Sequence, residues 1–371
     1  MVYSAVLKKG IGAVRTALTQ ANLGLQDPQF REHGAHTPQP DAPLVLVACS
    51  GGRDSIALAA LASIVCPTLG LRCGALVVDH GLLENSERIT AQALESCSQL
   101  GLAPLASQRI AVTRTRAGLE ADARQARYKV FIEQAQELKA SAVLLAHTAD
   151  DQAEGVLIGL IRSSGLGAVA GMESQVEREG VCFLRPILDV SRSETTQICQ
   201  QLNLCWWDDP TNGDDIASGQ ELPSSYPLRS RVRHDLLPAL SEFADKDMTA
   251  QLAQTAQLTR GALDYLNEEA LKLLAKARLE PSQTQLEMGA VACLRVEQLA
   301  DAHPALRSQL WVCLCNQFGI APVSRQIAQL DALVSSWHGQ AALALPSNYS
   351  AVRKHHVILL CKDRNYAHRR Y

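Results

Sequence analysis

Hydrophobic positions along the chain change their period repeatedly, and the changes mark out elements. Leu44-Val45-Leu46-Val47-Ala48 is a short, continuous apolar run ending in glycines, the pattern of a strand buried on both faces of a sheet. Over residues 55–64 the apolar positions Ile56, Leu58, Ala59 and Leu61 return at helical spacing. The alternation then repeats. Strands are expected over 74–78, 104–112, 142–146 and 181–185, the last one stopped by Pro186. Helices are expected over 86–100 with Ser86 as N-cap, over 120–138 on Ala123, Ala126, Val130, Ile132, Ala135 and Leu138, and over 151–161 and 193–202. Strands alternating with helices imply an α/β fold, a parallel sheet flanked by helices on both faces.

The flanks differ from this centre. Residues 1–43 read as a helix and a loop rich in Pro, His and Gly. Beyond Trp207, residues 208–227 are polar and rich in Asp, Gly, Ser and Pro, as in a connecting loop. Leu252, Leu263, Leu266, Ala270 and Leu274 mark a long helix, and Pro304 opens another at its first turn. Residues 341–361 alternate like a hairpin around Pro346-Ser347-Asn348. The expected organisation is therefore 1–43, an N-terminal helix and loop; 44–215, a catalytic domain; 216–280, a helical linker; and 281–371, a small α+β domain.

Composition narrows the chemistry. Net charge is only −3, so no global field draws the chain toward nucleic acid or membrane, and a polyanion site must be a local basic patch. No stretch approaches the ~18 consecutive apolar residues of a membrane span, which makes cytoplasm the expected compartment. The 11 cysteines are scattered, odd in number and mostly inside apolar runs, with no C-x-x-C; buried reduced thiols are expected. Cys313 and Cys315 would point to different sides of a helix, which disfavours a zinc or iron–sulfur site.

Ser50-Gly51-Gly52-Arg53-Asp54-Ser55 lies between the first buried strand and the first helix of the alternation. Consecutive glycines let backbone N–H groups approach a polyphosphate without a Cβ in the way. The helix start adds free N–H donors and partial positive charge, and both serines add hydroxyls. Asp54 sits oddly beside bare phosphates unless a cation intervenes, so it is a candidate Mg²⁺ ligand. The lysine of a Walker loop is missing. An ordinary βα turn of small residues is the bland alternative, weakened by its position at a strand's C-terminal end.

This run resembles the signature of the PP-loop ATP pyrophosphatases, which cleave ATP between the α and β phosphates. Further segments resemble one family among them, the tRNA(Ile)-lysidine synthetases. They are Asp79-His80-Gly81-Leu82, Glu120 to Tyr128 with Arg124 and Arg127, Ala146-His147-Thr148-Ala149-Asp150-Asp151-Gln152-Ala153-Glu154, Arg185-Pro186 through Arg192, Trp207 through Asn212, and Arg231-Val232-Arg233-His234 through Pro238. The likeness covers residues 44–240. Thr148, Gly155 and Ser230 depart from it, standing where histidine, threonine and asparagine are common.

The resemblance implies an ATP-dependent ligase that forms a carbon–nitrogen bond. Its substrates would be a tRNA(Ile) with a CAU anticodon and L-lysine. ATP would adenylate the C2 oxygen of the wobble cytidine, and lysine would displace AMP. A homodimer is among the assemblies left open. Adenylation calls for positive charge near the α-phosphate, and Arg124 and Arg127, three apart on one helix face, can reach one pocket. Attack by lysine calls for a deprotonated amine. His147 is the candidate for proton transfer, with Asp150 or Asp151 holding the ammonium or Mg²⁺ and Glu154 one turn on; helix capping is the plainer role for such aspartates. His80 is a second candidate at a strand end. Arg229, Arg231 and Arg233 form the densest basic cluster of the middle, and Arg231 and Arg233 are expected at RNA, with a second basic cluster in the tail from Arg353 to Arg370. Another PP-loop tRNA-modifying or amidating synthetase is the alternative, along with a nucleotide-binding regulator that has lost catalysis.

Overall fold

The computed structural model describes residues 3–31, 37–79, 81, 85–110, 119–163, 165–209, 216 and 220–362, with backbone only at 119–121. His80, Val112, Pro210 to Asn212 and the tail arginines Arg364, Arg369 and Arg370 lie outside them.

Two compact units divide the chain. The first comprises Met1–Arg162 and Gly171–Gln257. Its sheet holds β1 (Leu44–Ala48), β2 (Arg72–Asp79), β3 (Leu105–Arg109), β4 (Ala142–Leu144), β5 (Gln175–Arg178) and β6 (Val181–Leu184), in the order β3-β2-β1-β4-β6-β5. All neighbours are parallel except β5, which runs antiparallel to β6. Residues of β1 alternate between two cores, which is why the run reads as apolar throughout. Val45 and Val47 pack with α1 (Ala5–Gln20), α2 (Arg53–Leu69) and α7 (Arg192–Gln201) through Leu7, Leu58, Leu61 and Ile198. Leu44 and Leu46 face Tyr128, Phe131 and Ile132 of α4 (Leu119–Glu137). Helices thus cover both faces, as expected of a parallel sheet. Around the sheet run α3 (Ser86–Gln99) and α5 (Ala149–Arg162). Ser86 is the first helical residue rather than the N-cap; Asn85 precedes it and makes no side-chain cap.

Strand β5 was not expected. It closes a hairpin with β6 through Glu179 and Gly180, both at positive φ (49° and 77°), as a two-residue mirror-image turn requires. A glutamate at such a position is an unusual turn signal, which is why the sequence conceals it.

α8 (Leu228–Arg231) continues through a π-helical turn at Val232–Leu236 into α9 (Leu237–Ala244). This segment packs on α5 through Val232, Leu237 and Ala153.

The second unit comprises Ser163–Ala170, with α6 (Leu166–Val169), and Leu258–Tyr371. Its elements are the end of α10 (Met248–Ala277), β7 (Arg278–Leu279), α11 (Gln283–Glu287), β8 (Ala290–Arg295), α12 (Glu297–Ala300), α13 (Pro304–Gln317), α14 (Ser324–Ser335), β9 (Leu343–Leu345), β10 (Tyr349–Lys354) and β11 (Val357–Lys362). The strands form an antiparallel sheet β7-β8-β11-β10-β9, and Trp311, Leu310 and Leu330 fill its core. The hairpin expected around Pro346 is β9 with β10.

Candidate active site

The first unit holds a cleft of about 500 Å³ at the C-terminal ends of β1, β2 and β4. That size suits a nucleotide. Ser50, Gly52, Arg53, Asp54 and Ser55 line it, together with Arg127, His147 and Asp151.

The loop is held in one tight turn. Gly51 holds φ +82°, and a Cβ there would stand 3.2 Å from Ala93 Cβ. Gly52 caps α2 without a side-chain hydrogen bond, leaving the first-turn N–H groups to a ligand. The Ser55 hydroxyl donates to Gly52 O at 2.8 Å and accepts from Ser50 N at 3.1 Å, stapling the turn shut. Trp207 N donates to Gly51 O at 3.0 Å, strapping it from outside. Arg53 donates to the Thr196 hydroxyl, and its buried Nε has no partner.

Asp54 lines the cleft with both carboxylate oxygens already engaged. Its Oδ2 accepts from Arg192 Nε at 3.2 Å, and its Oδ1 accepts from the Thr195 hydroxyl at 2.5 Å. Burial pushes this carboxyl up, while Arg192 and Thr195 pull it back. No group of three or more His, Cys, Asp or Glu among the described residues could cage a metal. The donor set fits a Mg²⁺ carried mainly by phosphate oxygens, which needs only one or two carboxylates.

His147 follows β4. Burial, then the cations Arg185, Arg124 and Arg127, push its imidazole down to about 3, against the pull of Asp151. The ring is therefore neutral near pH 7, and its buried Nδ1 has no partner. Asp151 has its carboxyl below the usual range despite burial; with the imidazole neutral, Arg192, the Thr148 N–H that donates to it at 2.9 Å, and Arg229 are what favour its charge. Thr148 also donates its hydroxyl to the same oxygen at 3.1 Å, so the residue that departs from the family pattern anchors this aspartate.

Other expected site residues lie off the cleft. Asp150 accepts from Arg192 N at 2.8 Å, tying α5 to the start of α7. Glu154 is fully buried; Arg233 Nε reaches it at 2.5 Å and Arg229 Nη1 at 3.2 Å. Arg229 also reaches Asp151 at 3.3 Å. Arg233, expected at RNA, thus faces inward, and Arg231 has a buried Nε without a partner. Arg124 shares its helix with Arg127 and lies over Tyr128. In the second unit, Arg353 stacks on Trp337 and donates to Leu333 O.

Two arginines outside the expected set matter here. Arg192 faces Asp54, Asp150, Asp151 and Glu154, and that acidic company raises its own pKa against burial. Arg229 bridges Asp151 and Glu154. Spacing carried a signal for the latter: 229 and 233 are four apart and share a helix face, whereas 231 points elsewhere. Nothing in the sequence marks Arg192 beyond its place in a motif.

A phosphate loop at the tip of β1, in a parallel sheet, defines a PP-loop protein, and the PP-loop domain family matches residues 28–240. A U34-tRNA thiolase from Methanococcus maripaludis shares the fold at TM-score 0.50 and 16% identity, over 68% of this chain and 78% of that one. Closer similarity is found with a tRNA(Ile)-lysidine synthase from Bifidobacterium animalis subsp. lactis, 46% identical over 100% of this chain and 99% of the relative. Another from Salinispora arenicola is 38% identical over 86% and 91%. The chain belongs to the tRNA(Ile)-lysidine synthase family.

Proposed function

We propose that this protein joins L-lysine to the wobble cytidine of a tRNA(Ile) with a CAU anticodon, at the expense of ATP. The observation that carries the reading is the Ser50–Ser55 loop sharing one cleft with Arg127, His147 and Asp151, in a chain similar end to end to lysidine synthases. The loop's N–H groups and hydroxyls bind the triphosphate. The cytidine C2 oxygen attacks the α-phosphorus and pyrophosphate leaves, Arg127 countering the developing charge. The lysine amine then attacks C2, loses a proton, and AMP departs with the oxygen. Asp151, ionised and at the cleft, holds the lysine ammonium before attack. Mg²⁺, when bound with ATP, neutralises phosphate charge; Asp54 is the loop carboxylate that would hold it, in competition with Arg192.

His147 takes part as a neutral imidazole. A group with a pKa near 3 is a weak base. An anionic nucleotide beside it would raise that value, linking proton acceptance to ATP binding.

Incubation with ATP, lysine and tRNA, followed by mass spectrometry of the anticodon nucleoside, tests the reading. Lysine-dependent conversion of cytidine with release of AMP and pyrophosphate is expected; accumulation of ADP would overturn it. A His147→Ala enzyme with undiminished lysine transfer would remove that residue from the mechanism.

A further inference from the structure

A cluster of guanidinium groups lies around Tyr128, whose ring lines the cleft while the arginines stand behind it. Arg178, on the edge strand β5, stacks over the Tyr128 ring at 4.3 Å, and Arg124 lies 5.2 Å from the same ring centre. Arg185 Nη2 donates to the Tyr128 hydroxyl at 3.3 Å. Arg185 is buried, and its Nε has no partner. Arg178 is exposed and, among the described residues, pairs with no carboxylate. Arg124 feels its neighbours as repulsion: burial first, then Arg185, Arg229 and Arg178, lower its pKa. Like charges crowded on one aromatic ring are set for an anion.

That anion is not the triphosphate. Along the sheet, β1 is followed by β4, β6 and β5, and Arg178 pairs with Val181 at the start of β6, so its backbone stands at least about 14 Å from the strand bearing the phosphate loop, at about 4.8 Å per strand, and only its guanidinium reaches Tyr128. A triphosphate gripped by Ser50–Ser55 does not span that gap. A polynucleotide whose target base enters the cleft would place its next phosphates there. Arginines stacked on an aromatic ring suit such a strand, because the ring orders the guanidinium while its N–H edge stays free.

We propose that Arg178, ordered by Tyr128 and flanked by Arg124 and Arg185, holds a backbone phosphate of the RNA substrate beside the nucleotide being modified. This rests on the functional reading above and adds a contact from a hairpin that reading does not use. The test is equilibrium binding of a tRNA(Ile) transcript with a CAU anticodon to the full chain, against salt, for the parent, Arg178→Glu and Arg178→Lys, with ATP affinity measured in parallel. Arg178→Glu is expected to weaken RNA binding roughly tenfold and to flatten the slope of log affinity against log salt by about 1, with ATP affinity unchanged. Arg178→Lys, which keeps the charge, is expected to retain most of the slope. Parent-like RNA affinity and slope in a folded Arg178→Glu protein overturn the proposal while leaving the lysidine reading intact. A loss of ATP affinity instead assigns the cluster to the nucleotide and also overturns it. A parent that binds no tRNA overturns the functional reading and this contact with it.

Discussion

Gly51 and His147 each hold a state that another side chain would not share. At φ +82°, an alanine at 51 pays for left-handed backbone and meets Ala93 at 3.2 Å. Gly52, at φ −74°, would place its Cβ no nearer than 3.4 Å to another atom. Gly51→Ala is therefore expected to weaken ATP binding by about tenfold, from roughly 1–2 kcal/mol of strain, and Gly52→Ala by less. Calorimetric titration with ATP separates the two. His147 governs an acid effect. Its folded pKa is about 3, below the 6.5 of the unfolded chain. As pH falls through this window, the unfolded state takes up a proton that the folded state refuses, so stability is lost. A His147→Gln protein should show a shallower fall in melting temperature between pH 6.5 and 4 than the parent; parallel curves would mean that the imidazole is not held neutral. Of the five residues expected at the chemistry, Asp54 was marked by its place in the glycine turn and Arg127, His147, Asp150 and Asp151 by family-like segments; all but Asp150 line the cleft. The partners of Asp54 could not be read from the sequence, because Arg192 and Thr195 come from a helix 138 and 141 positions away.

The contact of α5 with the π-helical segment is an element-scale device. Val232, Leu237 and Ala153 supply its apolar part, and buried Glu154 joins it by ion pairs to Arg229 and Arg233. Arg233→Ala leaves buried Glu154 with Arg229 alone and is expected to cost about 2 kcal/mol in denaturant unfolding, less than the roughly 3–5 kcal/mol of a pair broken outright. Gly155, the next residue of the same helix, has open space where a Cβ would go. Gly155→Ala should stabilise by roughly 0.5–1 kcal/mol. A destabilised Gly155→Ala protein would show that this face is closer packed than described. Helix and strand positions in the α/β region follow the hydrophobic period, with ends shifted by a few residues. α2 starts at Arg53 instead of 55, and the strand expected at 142–146 stops at Leu144. Strand β5 escaped because Gln175–Arg178 is polar and lies at an edge, where one face needs no apolar residues.

At the scale of the whole chain, each unit has hydrophobic clusters of its own, and the cleft is lined by residues of the first alone. ATP binding should therefore slow amide hydrogen exchange in β1, α2 and the loop between them far more than in β8, β10 and β11. At a concentration 100 times Kd, it adds about 2.7 kcal/mol to the states that contain the folded site. Equal protection across both units would contradict a site confined to the first.

The sequence alone determined the parallel α/β core and the glycine turn at the tip of its first strand, because hydrophobic period and glycine placement act over a few neighbouring residues; the charged residues proposed for the chemistry were marked by family resemblance. Only the tertiary structure decided what those residues face: Asp54 toward Arg192, Arg233 toward buried Glu154, and Arg178 over Tyr128. Burial and pairing depend on elements far apart in the chain, and the same arginine can grip an RNA phosphate or anchor a helix according to which of them it meets.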